Sequence, residues 1–179
     1  MEQTILKAKS WQVFLVLIAS YFISWFIKDT DAGELLKLLG FSVFCIWLAL
    51  IGNTLSRLSQ TQEKKKTGWF IFNIAVTMAA PLVSLMVSDP DFVVTPTSFS
   101  AKGIWVLPTF YLAVAYVQTH WFVASAMVAK ERGQKPEFSQ VLGTAILISL
   151  WPIGVWFVQP RLNRINNVIN VDTIAASLP

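Results

Sequence analysis

Residues Leu36 to Leu55 read LKLLGFSVFCIWLALIGNTL, twenty positions with a single charge, Lys37, close to one end. At about 1.5 Å per residue, a helix of this length matches the ~30 Å hydrocarbon core of a bilayer. Lipid offers no partner for backbone N–H and C=O groups, so the run reads as a membrane helix. Four similar runs accompany it: Trp11 to Ile27, Trp69 to Val87, Ile104 to Ala129 and Val141 to Val158. The expected fold is all-α, a polytopic transmembrane bundle of five helices forming one domain over residues 1–179. The pieces between the runs are too short for a soluble domain.

Composition agrees. Of the residues, 55% are hydrophobic and 13% are charged, against about 25% charged in an average soluble domain. The one cysteine, Cys45, lies inside the second run and reads as packing. Lys7 and Lys9 precede the first run, but Phe26-Ile27-Lys28-Asp29 offers no small-residue cleavage site. That run is expected to be an uncleaved first span.

Charge sets the expected orientation. Lys7, Lys9, Arg57, Lys64, Lys65, Lys66, Lys130, Arg132 and Lys135 fall on one face of a five-span bundle. Lys28, Lys37, Lys102, Arg161 and Arg164 fall on the other, with Asp29, Asp31, Glu34, Asp89, Asp91 and Asp172. The positive-inside rule makes the first face, and the N-terminus, cytoplasmic. The last run leaves an alternative open, because Pro152 and Gly154 interrupt it. Proline removes a donor and clashes with the preceding turn. The segment is either a Pro-kinked full span or a re-entrant one, and the second case moves Arg161 and Arg164 to the cytoplasmic side.

Polar residues inside the runs are the candidates for function. Thr109, Tyr116 and His120 share one helical face, at spacings of seven and four, with Gln118 and Thr119 adjacent. His120 is the single histidine. An intramembrane ionisable group invites a proton, ion or ligand role, whereas a neutral imidazole bonded to a neighbour is simply structural. Asn53 and Thr54 in the second run, with Asn73 and Thr77 in the third, are expected to bond across helices or to line a polar path. Ala75 with Ala79, Ser125 with Ala129 and Ser139 with Gly143 have the small-residue spacing of close helix contacts.

The loops read as topology signals. Glu63-Lys64-Lys65-Lys66 suits an anionic lipid surface and lacks the readers that a nucleic-acid site needs. Asp89-Pro90-Asp91 reads as a turn. No phosphate-binding glycine loop, HExxH or nucleophile elbow occurs. No catalytic residue, cofactor or metal site is therefore expected.

The chain resembles a family of small, uncharacterised five-span bacterial membrane proteins. The resemblance rests on Trp11-Gln12-Val13-Phe14-Leu15, on Trp47 with Ile51-Gly52-Asn53-Thr54-Leu55, on Pro81, and on Val128-Ala129-Lys130. Its longest part is Pro152-Ile153-Gly154-Val155-Trp156-Phe157-Val158-Gln159-Pro160-Arg161-Leu162-Asn163, similar to a family ending in P-I-G-x-W-F-x-Q-P-[KR]-x-N. Where the family reads Phe-Ser-Asp, this chain has Phe138-Ser139-Gln140, without the acid. The resemblance implies five spans in the cytoplasmic (inner) membrane and no activity. The functional expectation is a non-enzymatic membrane component, either a homo-oligomer or an anchor subunit bound to another membrane protein. A homo-oligomeric ion channel or pore-forming effector is the main alternative, and a small-molecule transporter is a third.

Overall fold

Apolar runs become helices that begin and end where polar residues can close them. The computed structural model describes residues 7–27, 30–58, 64–96, 98–134 and 136–176. Lys28, Asp29, Glu63 and Lys135, which enter the charge reading, lie outside the described residues. Among the described residues there are six α-helices: α1 (Ser10–Phe26), α2 (Asp31–Leu58), α3 (Lys64–Val87), α4 (Val106–Arg132), α5 (Phe138–Ser149) and α6 (Val155–Ala176). Strands β1 (Phe92–Val94) and β2 (Phe99–Ala101) form an antiparallel hairpin between α3 and α4. Thr30 caps α2 by accepting the Gly33 N–H at 3.1 Å, and Asp31 and Glu34 complement the helix dipole in its first turn. Gly133, at φ 66°, ends α4 with its N–H on the Ala129 carbonyl, a left-handed cap that suits glycine.

Among the described residues, three segments are long and apolar enough to cross a membrane: Asp31–Arg57, Lys66–Val87 and Gly103–Arg132. Helices α1 and α5 are apolar but shorter, at 17 and 12 residues, or about 25 and 18 Å. The first four helices coincide with the first four expected runs. Helices α2 and α3 start several residues earlier than their runs, through polar turns at Asp31 and Lys64.

Helix α2 is central and packs against α1, α3 and α4, while α4 also touches α5 and α6. Leu17, Phe44, Ile51, Phe70, Val123, Met127, Ile148 and Leu162 fill the space between them. The close approaches fall at glycines that the small-residue pairs did not single out. A Cβ on Gly40 would meet the Ser20 hydroxyl and the Tyr21 ring at 2.5 Å, and one on Gly52 would meet the Phe70 ring at 2.4 Å. Ala75, Ala79, Ser139 and Gly143 are instead exposed, and Ser125 and Ala129 are half-buried. Small residues at four-residue spacing let backbones meet only when that stripe faces a neighbour, and these stripes on α3 and α5 face outward.

The loop after α3 is an ordered cap. Ser84 donates to the Phe92 carbonyl at 3.0 Å and accepts the Val94 N–H at 2.9 Å. Phe92 stacks on Trp105. Asp89 accepts the Asp91 N–H and the Trp105 indole N–H, each at 2.9 Å, which is the turn role read for it.

The fifth run departs from a single kinked helix. It divides into α5 and α6 around a turn at Leu150 to Gly154. At Gly154 a Cβ would lie 1.7 Å from the Leu147 carbonyl oxygen, so the chain folds back in a space only glycine fits. Trp151 packs on Tyr21 at 4.9 Å and Trp156 on Phe14 at 5.6 Å. Farther along, Gln159 and Asn163 both donate to the Ala8 carbonyl, at 3.1 and 3.3 Å. Helix α6 thus runs back along α1, toward the end of the bundle where α1 begins. Arg161 meets Glu131 at the C-terminal end of α4, at that same end, and Thr144 half-way along α5.

Candidate functional site

Two helices bring the polar groups together. On α3, Trp69, Asn73 and Thr77 recur every four residues, and on α4 Tyr111 and Gln118 are seven apart, so each set lies on one face. Asn73 is fully buried and is the node between them. Its Nδ2 donates to Gln118 Oε1 at 2.9 Å, and its Oδ1 accepts the Tyr111 hydroxyl at 2.8 Å. The Trp69 indole N–H donates to the same Gln118 oxygen at 3.2 Å. The Phe70–Phe122 stack, centroids 4.4 Å apart, sets the two helices at matching heights beside it. Asn73 is seven residues, or about 10 Å, from Lys66 and fourteen, or about 21 Å, from Val87. These bonds therefore lie inside the apolar layer.

His120 sits on the inner face of α4 and is 2% exposed. Its Nδ1 is 2.7 Å from the Tyr116 carbonyl oxygen. A carbonyl only accepts, so Nδ1 carries the proton, and in a neutral imidazole Nε2 then presents a lone pair. Nε2 is buried with no hydrogen-bond partner among the described residues. Tyr116 and Phe44 flank the imidazole, with centroids at 4.3 and 5.9 Å, and Phe44 also stacks on Trp151. The turn between α5 and α6 therefore reaches the height of the histidine.

The expected site residues separate into distinct places. Tyr116 and His120 are in contact, as their spacing of four implies. Thr109 is buried on α4 with its hydroxyl unbonded among the described residues, and no bond joins it to His120. Asn73 does bond across helices, but to α4, not to the second helix. Thr77 and Thr54 turn their hydroxyls onto carbonyls of their own helices, Asn73 and Leu50, at 2.8 Å each. Asn53 is half-buried on α2. Pro152 and Gly154 form the turn described above.

Tyr111 is the participant that reading along the chain overlooks. The signal available is its seven-residue offset from Gln118, opposite an indole and a carboxamide four apart on the preceding helix. Among the described residues, no three His, Cys, Asp or Glu side chains gather where they could hold a metal ion. The arrangement can pin helices and present hydrogen-bonding groups within the apolar layer. No protein-family model, no curated protein and no solved structure matches the chain.

Proposed function

We propose that this chain is a non-enzymatic integral membrane protein that serves as a subunit of a larger membrane assembly, built from its own copies or around another membrane protein. The observation carrying this reading is the closed bonding of Asn73. Its carboxamide is matched at both ends by Tyr111 and Gln118, so a fully buried polar group holds helices together. Polar contacts of this kind contribute about 0.6 to 2 kcal/mol each in membranes.

In this reading α1 to α4 each cross the bilayer, and α5 with α6 forms a re-entrant hairpin. The five-span count then becomes four crossings, with both ends of the described chain on one side. Arg161 and Arg164 join the basic face, leaving Lys28, Lys37 and Lys102 opposite. That asymmetry favours a cytoplasmic N-terminus in a bacterial inner membrane. Backbone that leaves the helix at membrane depth needs protein around it, and Tyr21, Phe44 and Trp151 supply that cover.

Native mass spectrometry of the protein extracted in nanodiscs tests the proposal. A particle of fixed stoichiometry, with more than one copy or with a second membrane protein, is the expected result. A single copy with nothing attached would overturn it. A channel remains the second reading, motivated by the unpartnered Nε2 of His120 beside the re-entrant turn. It requires ion flux in liposomes that changes in His120→Ala, and silent liposomes would dismiss it.

A further inference from the structure

Ser84 ties the β1–β2 hairpin to the side of α3. Its hydroxyl holds the Phe92 carbonyl and the Val94 N–H, and it lies three residues, or about 4.5 Å, before the end of α3 at Val87. The hairpin is therefore level with the last turn of α3, and β2 touches α4. Around that end Met86, Ile104 and Leu107 are 86, 82 and 76% exposed, so the apolar surface of the helices reaches the height of the strands.

Register fixes which way the strand side chains look. Phe92 pairs with Ala101 and Val94 with Phe99, and directly opposed residues share one face of a ladder. Phe92 and Val94 are buried, and Phe92 stacks on Trp105 just ahead of α4, so this face is turned toward the helices. Phe99 belongs to it yet is 63% exposed. Its ring overhangs the edge of the bundle on the helix side of the sheet. Ser100, paired with Val93, is exposed on the opposite face.

The backbone limits how deep that ring goes. Thr95 donates to the Ser98 carbonyl and Lys102 to that of Asp91, so the alternating pattern of the ladder turns the Phe99 N–H and C=O away from β1. Ser84 closes the matching edge of β1, whereas the two Phe99 groups have no partner among the described residues. Open backbone groups need water or headgroups. The β2 strand is thereby held at the polar boundary, with its aromatic ring pointing toward the acyl chains.

We infer that the hairpin is a lipid anchor, in which Phe99 seats among the outermost acyl chains and the open edge of β2 lies among the headgroups. An apolar ring at that boundary gains from leaving water, as the apolar faces of interfacial helices do. Lipid is the occupant because the ring lies at the height of Met86 and Leu107 on helices that cross the bilayer, and because the next residue, Ser100, is polar and faces the other way. The inference rests on the reading above that α3 and α4 are crossings.

Spin labels on single cysteines in liposomes, in a Cys45→Ser background, read depth by collision with oxygen, which concentrates in lipid, and with a water-soluble nickel chelate. Phe99→Cys is expected to favour oxygen, as Leu107→Cys does, and Ser100→Cys to favour the chelate. Because Phe99→Cys removes the ring, p-benzoylphenylalanine at position 99 serves as the second variant, and irradiation should add the mass of one phospholipid. Preference for the chelate at position 99, with Leu107→Cys still in lipid, would overturn the anchor and leave the crossings standing. Photo-adducts with protein, and low collision with both reagents, would replace lipid as the occupant. Leu107→Cys and Phe110→Cys in water as well would end both readings.

Discussion

Removing the Asn73 carboxamide tests whether the polar node holds α3 to α4. Asn73→Leu keeps a side chain of similar size in a fully buried position while deleting the bonds to Tyr111 and Gln118. Interhelical bonds in membranes average about 0.6 and reach about 1.7 kcal/mol. Two of them therefore put the expected loss at about 1 to 3 kcal/mol of unfolding free energy. The sharper quantity is a double-mutant cycle with Tyr111→Phe, which removes only the hydroxyl that donates to Asn73. The coupling should fall between about 0.6 and 1.7 kcal/mol. Reversible SDS unfolding in bicelles, followed by tryptophan fluorescence, measures it. Thr77→Val is the control, because that hydroxyl bonds a carbonyl of its own helix, and it should cost less than about 0.5 kcal/mol. Coupling below about 0.3 kcal/mol, within the scatter of independent sites, would refute the reasoning even if both single variants were destabilised.

Three other outcomes follow from the geometry. Gly154→Ala places a methyl 1.7 Å from the Leu147 carbonyl oxygen, a backbone atom that cannot swing away; the expected cost is about 3 kcal/mol or more, seen as a lower melting temperature in detergent. Gly52→Ala drives a Cβ against Phe70, whose ring is held by Phe122; a loss of about 1–3 kcal/mol by the same melting assay is expected, and an unchanged midpoint would mean α2 and α3 are farther apart. For the hairpin, single cysteines at Ser10 and Asn167 should label from one side of sealed vesicles and Ser98→Cys from the other, in a Cys45→Ser background; labelling of Asn167→Cys alongside Ser98→Cys would restore a fifth crossing.

The long runs were legible because hydrocarbon permits only internally bonded backbone, and that constraint appears as composition. It located α1 to α4 to within a turn or so at most ends. Helix starts at Asp31 and Lys64 escaped it, since polar turns outside the apolar layer carry no hydropathy signal. Two features demanded a different kind of information. The β1–β2 hairpin depends on Ser84 bonding two strand residues, a contact between elements that no local pattern encodes. The small-residue pairs failed for a related reason: spacing shows which residues share a stripe but not which way the stripe faces.

The last run shows how much a local signal leaves undecided. Pro152 and Gly154 announce an interruption, and both a kink and a reversal satisfy it. What separates them is where the next polar residues find partners. Gln159 and Asn163 reach Ala8, and Arg161 forks onto Glu131 while its other amino group meets Thr144. Ala8 and Glu131 belong to the end of the bundle at which α5 starts, and Thr144 lies half-way along α5, so the chain must come back. Val155, Val158, Leu162 and Ile165 are buried along the return, at the three- and four-residue spacing of a helix face. That spacing continues past the end of the apolar run. Hydropathy alone stops at the polar residues after Val158, whereas periodicity carries the helix through them. The polar Gln159-Pro160-Arg161-Leu162-Asn163 segment is therefore the clasp that fixes where the hairpin ends.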